Sequence, residues 1–188
     1  FLCCFSLYAQ DEIPEDYFEN PVKIPLILSG NFGELRTNHF HSGLDIKTQQ
    51  QSGIPIYAPA DGIIYRIKIS HFGYGKALYI KHPNGFRTVY AHLKKYNEPI
   101  QKFVKDAQYK KEAYEIELFP EENSLQVKKG SLIGYTGNSG SSDGPHLHFE
   151  IRDKNSRPMN PLLFGINIPD TKKPVVTDVF AYPLTKDS

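Results

Sequence analysis

The chain has 188 residues, of which 39% are hydrophobic and 23% are charged, and its formal net charge is +1. This length is enough for one domain with a hydrophobic core and short extensions. The lysines are scattered instead of forming one basic run, which argues against a nucleic-acid-binding surface. With 14 glycines, 14 prolines, 12 tyrosines and 12 phenylalanines, the composition favours a β-rich domain with many turns.

The first segment, residues 1–9, is apolar, and we interpret it as a signal peptide remnant cleaved after Ala9. It lacks an initiator methionine and a charged leading segment, so we expect the chain to be a fragment. A lipoprotein cysteine at Cys3 or Cys4 is the alternative, although the residues before it are larger than usual. Either interpretation predicts an exported protein of the periplasm or cell envelope, with membrane association left open.

The predicted mature part contains no cysteine, which excludes a disulfide and a thiolate metal ligand there. No stretch of the sequence is long and apolar enough to predict a membrane span. Residues 10–27 predict an extended lead-in, because prolines interrupt them.

Two hairpins are predicted next. The segment Ile54–Tyr65 has the pattern of two strands joined by a tight turn at Asp61-Gly62. Further on, Asn84-Gly85 predicts a second hairpin, because these residues adopt the positive φ that such turns require. The second arm of that hairpin carries His92.

Residues 97–128 differ in composition from the rest of the chain, because they are rich in lysine and glutamate. Asn97 is a candidate N-cap, and apolar residues recur at helical spacing after it, which predicts a short helix near 98–112. A strand is expected near Tyr114–Leu118. At the other end of the chain, residues 166–188 have the pattern of a linker followed by the start of a further, truncated β domain.

The stretch Gly144–Ile151 is the most informative of the sequence. Gly144 and Pro145 interrupt what precedes them, and the alternation that follows places His146 and His148 on one face of a strand. Two neighbouring imidazoles are costly to bury unless their nitrogens are occupied, and a metal ion is a common occupant.

Upstream, His41 and Asp45 are predicted to lie on one strand face with Gly43 between them. Catalytic zinc takes three nitrogen or oxygen ligands and leaves a fourth position for water. We therefore hypothesise a single zinc site formed by His41, Asp45 and His148. His92 and His146 remain beside it, and they could accept a proton from water, pass it to a leaving amine or stabilise an oxyanion.

Other histidines receive simpler interpretations. His39 lies two residues before His41 and is a minor competitor for the metal, whereas His71 and His82 are expected in a loop and a turn.

Four motifs occur in a fixed order: Phe32-Gly33, His41-Ser-Gly-Leu-Asp45, Tyr90-Ala-His92-Leu and Gly144-Pro-His146-Leu-His148-Phe-Glu-Ile. Together they resemble the lysostaphin/LytM-type zinc metallopeptidases over roughly residues 28–164. The resemblance implies a mainly β fold, with an antiparallel β-sheet or sandwich of the LytM type and a groove. It places the peptidase domain at 28–165, with an insertion at 97–128 and the short helix inside it.

The resemblance also implies a function. One Zn²⁺ would be held by His41, Asp45 and His148, and His92 and His146 would be the catalytic pair. The implied activity is hydrolysis of peptide bonds in the stems or cross-links of bacterial peptidoglycan, with no nucleic-acid partner. A C-terminal domain outside this chain is a further expected partner.

Alternatives and departures accompany this resemblance. A catalytically silent scaffold that binds cell wall or activates amidases would show gaps among the five site residues. A carrier or phosphotransfer β-barrel, which also uses paired histidines, would need neither the Asp45 ligand nor the Tyr90-Ala-His92-Leu strand. Arg36 is shifted by one residue from the commoner spacing, and Ser131 replaces a frequent acidic residue. The insertion is expected to be a surface decoration, or alternatively a wall of the groove that controls access.

Overall fold

The computed structural model describes residues 13–14, 16–122, 124–169, 175–176 and 178–179. The predicted signal peptide remnant at 1–9 lies outside the described residues, as does most of the predicted linker and further β domain at 166–188. Within the described part of the chain, no helix is both long and apolar enough to cross a membrane.

The elements follow one another in chain order as β1 (Leu28–Gly30), β2 (Leu44–Lys47), β3 (Pro55–Tyr57), β4 (Gly62–Ile69), β5 (Lys76–Lys81), β6 (Arg87–Ala91), β7 (Lys95–Tyr96), α1 (Glu98–Lys111), β8 (Ile116–Leu118), β9 (Gln126–Val127), β10 (Leu132–Tyr135), β11 (His146–Arg152), β12 (Pro158–Met159) and a 3₁₀ helix (Pro161–Phe164). Over the described residues the fold is therefore mainly β with one α-helix, as predicted.

The strands form two antiparallel sheets. The large sheet has the order β1-β2-β11-β6-β5-β4-β8, with β12 paired to β11 and β9 paired to β4. The small sheet has the order β3-β10-β7. In β11 the side chains of Leu147, Phe149 and Ile151 enter the core, so the alternating residues of this central strand point to the opposite face.

The Asn84-Gly85 hairpin is confirmed. Strands β5 and β6 pair antiparallel up to Lys81 and Arg87, and Gly85 has φ +88°. The predicted hairpin at Asp61-Gly62 is wrong, because β3 and β4 belong to different sheets. The Asp61 carboxylate accepts a hydrogen bond from the Lys129 backbone N–H at 2.8 Å, which fixes a crossover between the sheets instead of a tight turn.

The predicted helix is confirmed. The Asn97 side chain accepts a hydrogen bond from the backbone N–H of Ile100, and the helix ends at a left-handed Glu112. Ile100 and Val104 are buried in the core, and the segment 97–128 also supplies strands β8 and β9 to the large sheet.

The described residues of the lead-in, 13–14 and 16–27, pack on the domain. Phe18, Val22 and Leu26 are buried, and the Phe18 ring lies 5.8 Å from that of Phe164 in an edge-on contact. The chain before β1 therefore completes the hydrophobic core.

Candidate metal centre and groove

Two strands bring distant parts of the sequence together at the candidate site. Strands β2 and β11 pair antiparallel with Asp45 directly opposite His148. His41 does not lie on the strand, contrary to expectation, because β2 begins at Leu44. Instead, backbone hydrogen bonds to Gly33 and Glu34, both at 2.8 Å, fix His41 against the preceding loop.

Three candidate ligand atoms converge at one point. His41 Nε2 lies 3.1 Å from Asp45 Oδ1 and 3.0 Å from His148 Nδ1, and His148 Nδ1 lies 3.0 Å from Asp45 Oδ1. Both histidines are buried. Among the described residues, these three form the group of histidine and acidic side chains that could hold a metal ion.

The opposite side of each candidate ligand has its own partner. His41 Nδ1 is 2.8 Å from the Asn31 carbonyl oxygen, and His148 Nε2 is 2.8 Å from Glu150 Oε1. Because these partners accept hydrogen bonds, the neutral imidazoles keep a lone pair on the nitrogen that faces the centre. Arg36 donates to Asp45 Oδ2 at 2.9 Å, which leaves Oδ1 for the centre.

The donor set fits a divalent cation. Burial would lower the pKa of His148, but its hydrogen bonds with Asp45 and Glu150 outweigh burial and raise that pKa to about 9. Burial would raise the pKa of Asp45, but the surrounding histidines hold it far below its usual range. The centre therefore attracts positive charge, and two imidazoles with a carboxylate are ligands that suit zinc.

His92 and His146 lie beside this centre with their rings 4.7 Å apart. His92 follows β6 with φ +59°, an uncommon conformation outside glycine, and its Nδ1–H donates to the Ser139 carbonyl at 2.8 Å. His146 begins β11, and its Nδ1–H donates to the Gly144 carbonyl at 2.8 Å. In the neutral ring of His92, Nε2 is therefore the nitrogen that can accept a proton, whereas Nε2 of His146 faces the Asp45 carboxylate.

The pKa values of these two histidines diverge. Burial lowers the pKa of His92 to about 4. Burial also acts to lower the pKa of His146, but hydrogen bonds with Asp45 and the Gly144 carbonyl outweigh it and raise the pKa. His146 Nε2 is 3.5 Å from Asp45 Oδ1.

An open groove of about 800 Å³ runs over the centre. Its lining contains all five predicted site residues together with parts of three loops, at 36–42, 48–50 and 141–145. No described residue of the segment 97–128 lines the groove, so the groove-wall interpretation of the insertion lacks support.

The remaining histidines lie apart from the candidate ligands. His39 lines the groove, but its ring is hydrogen-bonded to Asn38 and does not join the cluster. The ring of His71 stacks on Tyr114. His82 is buried and bonds the Asp61 carbonyl and the Thr88 hydroxyl.

Sequence reasoning missed the residues that support the ligands. Glu150 follows His148 by two positions, so strand alternation could have placed it on the same face. Tyr74 and Ser42 reach Glu150 from other segments, and no local pattern predicts those contacts. Arg36 contacts Asp45 despite its shifted position in the motif.

Comparisons with known proteins agree with this arrangement. The chain is 35% identical over 136 residues to the DD-carboxypeptidase/endopeptidase Mpg of Neisseria meningitidis, covering 72% of this chain and 25% of that protein. It is 28% identical over 162 residues to the peptidoglycan DD-endopeptidase ShyA of Vibrio cholerae, covering 83% of this chain and 31% of that protein. The chain thus spans about a quarter to a third of the length of these relatives.

The fold resembles a solved catalytic domain. The catalytic domain of lysostaphin from Staphylococcus simulans superposes with a TM-score of 0.55 at 25% identity, over 74% of this chain and 91% of that one. The sequence model of peptidase family M23 matches residues 39–109 and 121–161, more than half of the chain. With the motifs, the sheets and the three converging ligand atoms in agreement, the chain belongs to peptidase family M23.

Proposed function

We propose that this chain is an exported zinc-dependent endopeptidase that hydrolyses peptide bonds in bacterial peptidoglycan. The observation that carries the proposal is the convergence of His41 Nε2, Asp45 Oδ1 and His148 Nδ1 within 3.0–3.1 Å at the floor of an open groove. Membership of family M23 supports peptidase chemistry, and the names of the relatives Mpg and ShyA support the substrate class.

His41, Asp45 and His148 would hold the zinc ion. When bound, zinc would act as a Lewis acid that favours ionisation of water and polarises the scissile carbonyl. Arg36 and the Asn31 carbonyl would keep the ligands in this orientation, because each contacts the side of a ligand that faces away from the centre.

His92 and His146 would handle the proton and the developing charge. Each has Nδ1 hydrogen-bonded to a backbone carbonyl, which leaves Nε2 for proton transfer, and both residues line the groove. A neutral ring can accept a proton at Nε2 from the attacking water, and the same ring can then donate it to the leaving amine nitrogen. The protonated ring can also donate a hydrogen bond to the oxyanion of the tetrahedral intermediate.

The lining of the groove suits a peptide substrate. It is open to solvent, and its lining includes polar side chains such as Thr37, Asn38 and Ser141 that can hydrogen-bond a peptide backbone. A silent scaffold would not need to retain all five site residues in one constellation, so the enzymatic function is favoured over that alternative.

Digestion of purified peptidoglycan tests the proposal. The zinc-loaded chain is incubated with sacculi that carry direct cross-links and with sacculi that carry glycine bridges, and the released fragments are analysed by mass spectrometry. We expect cleaved cross-links or stems from one of the two substrates, and none from the Asp45→Ala or His148→Ala variants. Intact peptides with the zinc-loaded wild type would contradict the proposed activity.

A further inference from the structure

Glu150 is a buried carboxylate on the strand that carries the candidate ligand. It lies two residues after His148 on β11, faces the same side of the sheet and has no exposed surface. Burial of a carboxylate is costly unless the group is paired and hydrogen-bonded. The hydrolytic chemistry described above does not use it.

Four donors surround this carboxylate. Glu150 Oε1 lies 2.8 Å from His148 Nε2, accepts a hydrogen bond from Ser42 Oγ at 2.8 Å and accepts another from the Tyr74 hydroxyl. Glu150 Oε2 accepts a hydrogen bond from Arg152 Nε at 2.5 Å. The group is thus an ionised acceptor with both oxygens occupied.

We propose that Glu150 is a positioning residue that fixes the His148 ring for metal binding, an inference that rests on the proposed zinc centre. An ionised carboxylate can only accept hydrogen bonds, so His148 must carry its proton on Nε2. The neutral ring then has its lone pair on Nδ1, which is the atom that faces His41 and Asp45. Glu150 therefore selects the tautomer that can bind the ion.

The same carboxylate connects the segments that build the site. Ser42 directly follows the candidate ligand His41. The backbone carbonyl of Tyr74 accepts a hydrogen bond from the backbone N–H of His92 at 2.9 Å. Space for these contacts depends on Gly43, because an added Cβ there would lie 2.8 Å from Glu150 Cγ.

A Glu150→Gln substitution tests the inference with little change in shape. If the new amide oxygen faces His148, its NH₂ group meets Arg152 Nε, and two donors oppose each other. If the NH₂ group faces His148, the ring must accept at Nε2 and protonate at Nδ1, which blocks the ligand atom. Zinc binding therefore requires the first orientation, in which two donors oppose each other at Arg152, and this cost weakens the affinity for zinc.

Zinc affinity is measured by competition with a chromophoric chelator on the full chain. We expect Glu150→Gln to raise the zinc dissociation constant by roughly 10- to 100-fold, the usual effect of removing such a partner. Asp153→Asn is the matched control. Asp153 is also a buried carboxylate and directly follows β11, but its side chain accepts a hydrogen bond from Arg157 and contacts no histidine. We expect this control to lose some thermal stability and to retain wild-type zinc affinity.

A second readout does not depend on bound metal. In the wild type, the His148 Nε2–H should give a downfield proton resonance in ¹⁵N-histidine-labelled protein, identified by its loss in His148→Gln, and Glu150→Gln should remove it. Wild-type zinc affinity in Glu150→Gln, equal weakening in Asp153→Asn, or no such resonance in the wild type would each overturn the inference. Failure of the wild type to bind zinc would instead contradict the proposed metal centre, and the resonance would still test Glu150.

Discussion

Each of the four candidate site histidines has a hydrogen-bond acceptor behind one ring nitrogen. Carbonyl oxygens take this position for His41, His92 and His146, and Glu150 takes it for His148. What a ring does then depends on where its free nitrogen points. In His41 and His148 that nitrogen belongs to the converging ligand atoms, whereas His92 and His146 line the groove beside them and His146 Nε2 lies 3.5 Å from Asp45 Oδ1.

This difference predicts separate effects of substitution on metal content and turnover. His92→Ala and His146→Ala should each lower kcat about 10²- to 10⁴-fold, because they remove a proton acceptor without removing a ligand. Both variants should retain the zinc content of the wild type in elemental analysis. Wild-type turnover in either variant would mean that its assigned role is wrong.

A histidine outside the groove predicts a pH dependence of stability. Burial lowers the pKa of His82 to about 4, whereas an unfolded histidine titrates near 6.5. Because the unfolded state binds the proton more tightly, this contribution is complete above pH 6.5 and is lost as the pH falls to 4. The loss amounts to about 3 kcal/mol of unfolding free energy.

Urea unfolding of the wild type and His82→Asn at pH 7 and pH 4.5 measures this effect. The stability advantage of the wild type should shrink by most of that amount at the lower pH, whereas a His71→Asn control should follow the wild type. An unchanged advantage at the two pH values would contradict the assignment of His82 as a buried neutral group.

At the scale of elements, the site depends on the close pairing of β2 with β11. Gly43 precedes β2, and a Cβ at this position would lie 2.3 Å from the Phe149 carbonyl oxygen. Only glycine therefore lets the two strands approach, and the pairing sets Asp45 opposite His148. Helix α1 contributes Ile100 and Val104 to the core, and none of its residues lines the groove.

Gly43→Ala should therefore push β2 away from β11. We expect a loss of about 1–3 kcal/mol of stability, as for other overpacking substitutions, together with weaker zinc binding. Gly144→Ala is the matched control for stability, because an added Cβ there meets no atom within 4 Å. Thermal unfolding and zinc titration of both variants measure the two effects, and wild-type behaviour of Gly43→Ala would refute the packing argument.

At the scale of the whole molecule, features that depend on local sequence patterns were predicted correctly, whereas features that depend on long-range contacts were not. The β-rich class, the Asn84-Gly85 hairpin and the helix capped by Asn97 follow from short sequence patterns, and the structure contains them. The hairpin predicted at Asp61-Gly62 is absent. The Asp61 carboxylate instead accepts a hydrogen bond from Lys129, 68 residues away, where the chain crosses between the two sheets.

The candidate site was predictable to the extent that its residues lie in motifs. The set of His41, Asp45 and His148 came from spacing and resemblance, and the structure brings these residues together. The partners behind them were not predictable in the same way. Tyr74 contacts Glu150, and Arg36 contacts Asp45, through tertiary contacts. Such contacts depend on how the loops fold over the sheet, and no periodic sequence pattern predicts them.

Anomalous diffraction at the zinc absorption edge would locate the ion in zinc-loaded crystals. We expect a single strong peak per chain within about 2.0–2.2 Å of His41 Nε2, Asp45 Oδ1 and His148 Nδ1. A peak on another set of residues, or no peak at the groove in protein that had been saturated with zinc, would contradict this expectation.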